Sequence, residues 1–167
     1  MLLRRCWVVL SALALAATVG CAARSPSPAT APPAPAPAPS AAAATVVTTA
    51  LTLMGTPYRN GGADPSGFDC SGLVAYVFAQ AGWRVPRTVT GLFLASAPVG
   101  DARIAPGDLV FFRTSGSSPT HVGIALGDGY FIHAPSTNGA VRVEPLASRY
   151  WTQRYVGARR LAAGGAR

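Results

Sequence analysis

The chain has 167 residues, 50% of them hydrophobic and 12% charged, and its formal net charge is +8. That length accommodates one domain with a sizeable core and leaves some sequence over. All 14 basic residues are arginine, and no basic run exceeds the pairs Arg4-Arg5 and Arg159-Arg160; a nucleic-acid binder clusters such residues with aromatics on one face, so no nucleic-acid partner is expected, and the charge fits polyanionic surroundings or a plain solvated surface.

Residues 1–20 read as an address. Arg4 and Arg5 precede an uncharged, apolar stretch from Cys6 to Gly20, too short to span a bilayer comfortably as a helix. Gly20 stands before Cys21, which resembles a bacterial lipoprotein signal, cut before a cysteine whose thiol then carries a lipid. By the same resemblance Ala22 fits outer-membrane sorting, facing the periplasm. The competing reading is an ordinary secretory signal cut after Ala17 or Ala23. Residues 21–44 carry this cysteine and then almost only Ala, Pro, Ser and Thr. With no large apolar side chain to bury, that segment is expected to be a disordered, polyproline-like linker reaching on the order of 60 Å.

The domain is expected over 45–161, followed by a short tail at 162–167. Val46, Leu51 and Met54 recur at roughly helical spacing and stop at Gly55, with Pro57 beyond, which predicts a short helix. "YRNGGADPSGF" is loop. From Cys70 to Ala81 a second helix is predicted, with Leu73, Val77 and Ala81 on one face, Val74 and Phe78 beside them, and Asp69 or Ser71 as cap. Turn-and-strand texture follows: "APGDLVFFRT", the hairpin "THVGIALGDGYFIHAP", the alternating "GAVRVEPL", and a last strand in "YWTQRYVGARRL". Helices first and strands later predict an α+β domain with an antiparallel sheet.

Cys70 carries the chemical interest. Cys6 leaves with the signal, and an acylated Cys21 would leave Cys70 without a disulfide partner. At a helix N-terminus the macrodipole and unpaired N–H groups favour thiolate. The two histidines of the chain, His121 and His133, both fall in the predicted hairpin. They share a face only if paired residues sum to an even number, which an odd connection provides. A three-residue turn at Gly127-Asp128-Gly129, pairing Leu126 with Tyr130, meets that condition; a two-residue turn would put them on opposite faces. Cys70, His121 and His133 can then form a nucleophile, a base and a group orienting the base. Spacing alone leaves an inert buried thiol and a metal ligand as competing readings, the latter weakened by the lack of CxxC or HxxxH pairs.

"GTPYRNGG", "FDCSGLVAYVF", "VPRT", "APGDLVFF", "HVGIALGDGYFIHAPS" and "YWTQRYVGARRL" resemble, in order, the NlpC-type family of bacterial cell-wall cysteine peptidases, and its small lipoprotein branch in particular. The resemblance covers nearly all of 45–161. It implies a papain-like α+β fold, with N-terminal helices packed on a central antiparallel sheet. It implies Cys70 as nucleophile, His121 as general base and His133 as the orienting residue. It places Tyr58 near the nucleophile, Asp69 and Ser71 at stem-peptide contacts, and Arg87 at the edge of the cleft. Leu92 and Phe93 stand where many members carry glutamine and polar neighbours, which implies a more apolar cleft wall. Gly67 and Gly72 are expected to leave room beside the sulfur for a substrate backbone. The implied activity is hydrolysis of an amide in the peptidoglycan stem or cross-link by a lipid-anchored monomer, without metal or organic cofactor. The rivals are an inactive peptidoglycan-binding lipoprotein and an acyl transferase on the same fold.

Overall fold

The computed structural model describes residues 41–137 and 139–162. The signal segment, Cys21, most of the linker and the tail lie outside the described residues. The elements run, in order, α1 (Ala41–Thr52), β1 (Ala63–Asp64), β2 (Gly67–Phe68), α2 (Cys70–Gln80), α3 (Val89–Leu94), β3 (Ser96–Val99), β4 (Leu109–Phe112), β5 (His121–Gly127), β6 (Tyr130–His133), β7 (Arg142–Pro145), α4 (Arg149–Thr152) and β8 (Tyr155–Leu161). Among the described residues no helix is long and apolar enough to cross a membrane.

Six strands form one antiparallel sheet in the order β3-β8-β4-β5-β6-β7. The central strands β4, β5 and β6 are buried on both faces, because each face of the sheet is covered there. On one side Leu109, Phe111, Val122, Ile124 and Ile132 pack with Val46 and Ala50 of α1, Leu73, Val74, Val77 and Phe78 of α2, and Leu92 of α3. On the other, Val110, Phe112, Ala125, Phe131 and Ala158 pack around Trp151 of the single-turn α4. The period of two along each strand sorts side chains between these layers. The α+β fold with N-terminal helices on an antiparallel sheet is as expected.

Several local expectations are revised. Helix α1 begins in the alanine run at Ala41, inside the stretch read as linker, and ends at Thr52; its inward residues are Val46 and Ala50, while Leu51 and Met54 face solvent. Alanine is the strongest helix former, and four in a row extend the helix upstream of its apolar positions. Strand β3 is not among the expected elements. It contains Pro98, which only an edge strand tolerates, and it is an edge strand here. The one-turn α4, capped by Ser148, is also new, lying between two strands; a single turn has no periodicity to read.

The β5–β6 hairpin closes differently from the expectation but reaches the same result. Its turn has two residues, Asp128 (φ 51°) and Gly129 (φ 78°), between the paired Gly127 and Tyr130. Positive φ at both central positions is the mirror-image turn that suits the twist of hairpin strands, and Asp-Gly favours it. A two-residue turn alone would have divided the histidines between faces. An irregularity between Ala125 and Gly127 inserts one extra residue, however, and beyond it Ala125 faces Phe131 and Ile124 faces Ile132. That bulge restores the even sum, so His121 and His133 share the Trp151 face.

Candidate active site

Helix α2 starts at Cys70 because Asp69 caps it. Asp69 is extended, and its Oδ1 accepts from the Gly72 backbone N–H at 2.6 Å. The same carboxylate receives a fork from Arg87, Nη1 to Oδ1 at 2.9 Å and Nη2 to Oδ2 at 2.8 Å. Arg87 also donates to the Ser71 hydroxyl at 3.0 Å and to the Gly62 carbonyl at 3.1 Å, and Ser71 donates to Asp69 at 3.2 Å. Burial opposes ionisation of Asp69, but the Arg87, Gly72 and Ser71 donors outweigh it and hold its carboxyl below the ordinary range. Asp69 and Ser71, expected at stem-peptide contacts, and Arg87, expected at the cleft edge, are joined to one another as one latch between the loop, the helix start and the segment before α3.

The glycines serve this latch. A Cβ on Gly72 would stand 1.9 Å from the Gly62 carbonyl oxygen, and one on Gly67 would stand 2.6 Å from the Arg59 Cβ. Both therefore leave room for the chain's own 57–62 loop. The expected space for a substrate backbone is not what they provide.

Cys70 is a free thiol, partly buried against the helix-side core. The backbone N–H of Val122, the residue after His121, points to its sulfur, as do those of Ser71 and Cys70 itself. These donors favour thiolate, but burial acts the other way, joined by the nearby Asp69 charge, and the thiol is raised above its ordinary 9.0. The helix-start argument for a resting thiolate is thus overridden by desolvation. Tyr58 lies in the same electrostatic neighbourhood: burial, then Cys70 and Asp69, push its hydroxyl up. Tyr58 is held by its backbone, donating to the Gly139 carbonyl at 2.7 Å.

His121 opens β5 and His133 closes β6. Their rings meet edge to face, with His121 Nε2 and His133 Nδ1 at 2.8 Å. Trp151 stacks on His121 at 5.5 Å and 19°, and its edge or face also meets His133 and Phe131. Burial, with the neighbouring His133, lowers His121 from 6.5 to about 3. Burial lowers His133 to about 4, against the opposing field of Glu144. Both rings are neutral at pH 7. Cys70 thus comes from the helix layer and the histidines from the aromatic layer, and Val122, next to His121, adjoins Cys70 at the start of β5.

Two residues of this site are absent from the set that sequence reasoning singles out. Trp151 reads there only as an aromatic of the last segment. Glu144 lies inside "GAVRVEPL", where the alternation of Arg142 and Glu144 with Val141 and Val143 is the available signal that it shares a strand face. The β6–β7 register pairs His133 with Arg142 and Phe131 with Glu144, which puts Glu144 on the histidine face. The expected apolar cleft wall is also corrected. Leu92 is fully buried in the core, and Phe93 packs edge-on against Phe111 at 5.1 Å beneath the Arg159 guanidinium; a helical turn, rather than a loop, turns both inward.

A model of the NlpC/P60 family matches residues 55–160, a span that contains every one of these site residues. The chain belongs to the NlpC/P60 family. Among its relatives, the murein DD-endopeptidase MepH of Escherichia coli is 43% identical over 113 residues, covering 65% of this chain and 42% of that protein. The gamma-DL-glutamyl hydrolase of Bacillus subtilis is 38% identical over 122 residues, covering 71% of this chain and 30% of that protein. A solved NlpC/P60 structure from Bacillus cereus superposes with a TM-score of 0.68 at 32% identity, covering 75% of this chain and 41% of that one. This chain therefore spans less than half the length of these relatives.

Proposed function

We propose that this NlpC/P60 chain is a cysteine peptidase that hydrolyses an amide bond in the stem peptide or cross-link of peptidoglycan. The observation that carries the reading is the His121–His133 pair, 2.8 Å apart, beginning at the strand position next to Val122, which adjoins Cys70 at the capped start of α2. The names of the relatives, one a murein endopeptidase and one a γ-glutamyl hydrolase, support the substrate class.

The reaction starts from a neutral thiol and a neutral imidazole. As sulfur attacks the carbonyl carbon, its proton passes to His121. The developing oxyanion is met by the backbone N–H of Cys70 and by the Tyr58 hydroxyl. His121 returns the proton to the leaving amine as the C–N bond breaks, leaving an acyl-thioester. Water then attacks with His121 as base, freeing the carboxylic acid and the thiol. His133 keeps the His121 ring oriented throughout. Arg87, whose side chain is 40% exposed, has only its Nε–H left to meet a stem-peptide carboxylate, because its Nη groups are taken by Asp69, Ser71 and Gly62; Ser71 and Asp69 shape that rim. No metal or organic cofactor takes part.

The test is digestion of purified sacculi by the full chain. Wild type should release soluble fragments with or without a chelator. Cys70→Ala should bind sacculi and release nothing. Binding without release by the wild type would support the tethering-protein alternative, and products joined to a second amine would support the transferase.

We infer further that the chain works as a monomer, lipidated on Cys21 and tethered to the outer membrane facing the periplasm. The support is the Arg4-Arg5, apolar stretch and Gly20-Cys21 pattern with the Ala/Pro-rich segment behind it. Radiolabelled palmitate should enter wild type and not Cys21→Ala; equal labelling of both would end this part of the reading.

A further inference from the structure

His133 Nε2 is a buried polar atom that has no hydrogen-bond partner among the described residues. Glu144 Oε1 stands 3.6 Å from it, slightly beyond hydrogen-bond length. A buried nitrogen left unmatched in this position is destabilising. The match it faces is a carboxylate, which only accepts. A bare Nε2 lone pair turned to that carboxylate would be repelled, whereas Nε2–H is attracted. Glu144 is itself fixed in place, because the Trp151 indole N–H donates to Oε2 and Arg142 Nε donates to Oε1 at 2.5 Å. Burial opposes its charge, but those donors outweigh burial and keep it ionised.

The consequence runs along the relay. With the proton of His133 on Nε2, its Nδ1 is a bare acceptor. The 2.8 Å contact between that Nδ1 and His121 Nε2 then requires the proton of His121 on Nε2. His121 Nδ1 is left bare, which is the atom a general base needs. The opposite order would put a proton on His121 Nδ1 and disable it as a base.

Resting on the hydrolytic reading above, we propose that Glu144 is a positioning residue that sets the tautomers of His133 and, through it, His121, so that the base presents a lone pair. Trp151 is the second anchor, because its indole N–H fixes the carboxylate and its ring packs against both imidazoles. This makes a four-residue relay, Cys70–His121–His133–Glu144, whose last member never touches substrate.

The chain has only two histidines, so nitrogen NMR of the ¹⁵N-labelled full chain resolves both rings. In wild type both should be Nε2–H tautomers, with a slowly exchanging His133 Nε2 proton. In Glu144→Gln, which removes the charge and can turn a donor toward Nε2, the His133 ring should lose that single tautomer and its protected proton. Its kcat on muropeptides should fall by about tenfold or more with KM unchanged. Trp151→Phe, which keeps the ring and loses the N–H, should move both readouts the same way by less, and serves if the glutamine variant fails to fold. A His133 Nδ1–H tautomer in wild type would overturn the proposal, as would a folded Glu144→Gln with unchanged tautomers or unchanged kcat. A wild type without hydrolytic activity would instead end the hydrolase reading, with the NMR comparison still deciding the role of Glu144.

Discussion

The two sides of the site are built by different physics. The Cys70 side is a polar latch: one arginine fork, one capping carboxylate and two glycines that let backbones approach. The histidine side is an aromatic box around Trp151, Phe112 and Phe131, closed by one carboxylate. Donors must be met at the first, so its geometry depends on directed hydrogen bonds between loop, cap and helix. Burial dominates at the second, and it is burial that keeps both imidazoles neutral. A latch fails when a partner is removed, whereas a box tolerates a change of shape better than a change of charge.

Breaking the latch sterically should have the largest effect on folding. Gly72→Ala drives a Cβ to 1.9 Å from the Gly62 carbonyl oxygen, and backbone cannot swing aside as a side chain can. Urea unfolding should show a loss of about 3 kcal/mol or more, while Gly82→Ala, with open space around it but φ +80°, should lose about 1 kcal/mol. Breaking the latch chemically comes next. Arg87→Ala leaves the Asp69 carboxylate with fewer donors and should cost about 1–3 kcal/mol in the same assay; Arg87→Lys should recover only part, because an ammonium cannot supply the fork.

The box is tested by pH. A histidine lowered in the folded state binds protons more readily when unfolded, so the folded chain loses stability as pH falls from 6.5 toward 4 and 3. The Cys70 thiol is raised, so its contribution is present below 9.0 and lost at higher pH. Stability should therefore plateau between about 6.5 and 9, and thermal melts across that range should be flat. Activity should likewise stay level through pH 6.5, where a solvent-exposed histidine base would titrate. Tyr58→Phe is aimed at catalysis alone: loss of the proposed oxyanion donor should lower kcat by about tenfold, with stability unchanged.

The contrast between latch and box also explains what could be read from the amino-acid sequence. The latch is written in consecutive residues: a capping Asp69, Cys70, small Ser71 and Gly72, then an apolar helical face that the structure reproduces at Leu73, Val74, Val77 and Phe78. The strands β4 and β5–β6 were equally legible from their apolar runs and turn residues. The box depends on register. Glu144 shares a face with His133 only because β7 pairs with β6 in one register, and His121 joins them only through the bulge at Leu126. Neither is a property of any short window. Leu92 and Phe93 misled for the same reason: their side chains look alike in a loop or in a short helix, and only packing against Phe111 and the core shows which way they face.

Hydrolysis of a peptidoglycan amide by Cys70 and the two histidines is tested by mass spectrometry of a defined, purified muropeptide incubated with wild type and with Cys70→Ala. Two wild-type products whose masses add up to substrate plus one water, one with a new carboxyl and one with a new amine, and intact substrate with the variant, are predicted. Intact substrate with wild type, or equal cleavage by Cys70→Ala, would contradict it.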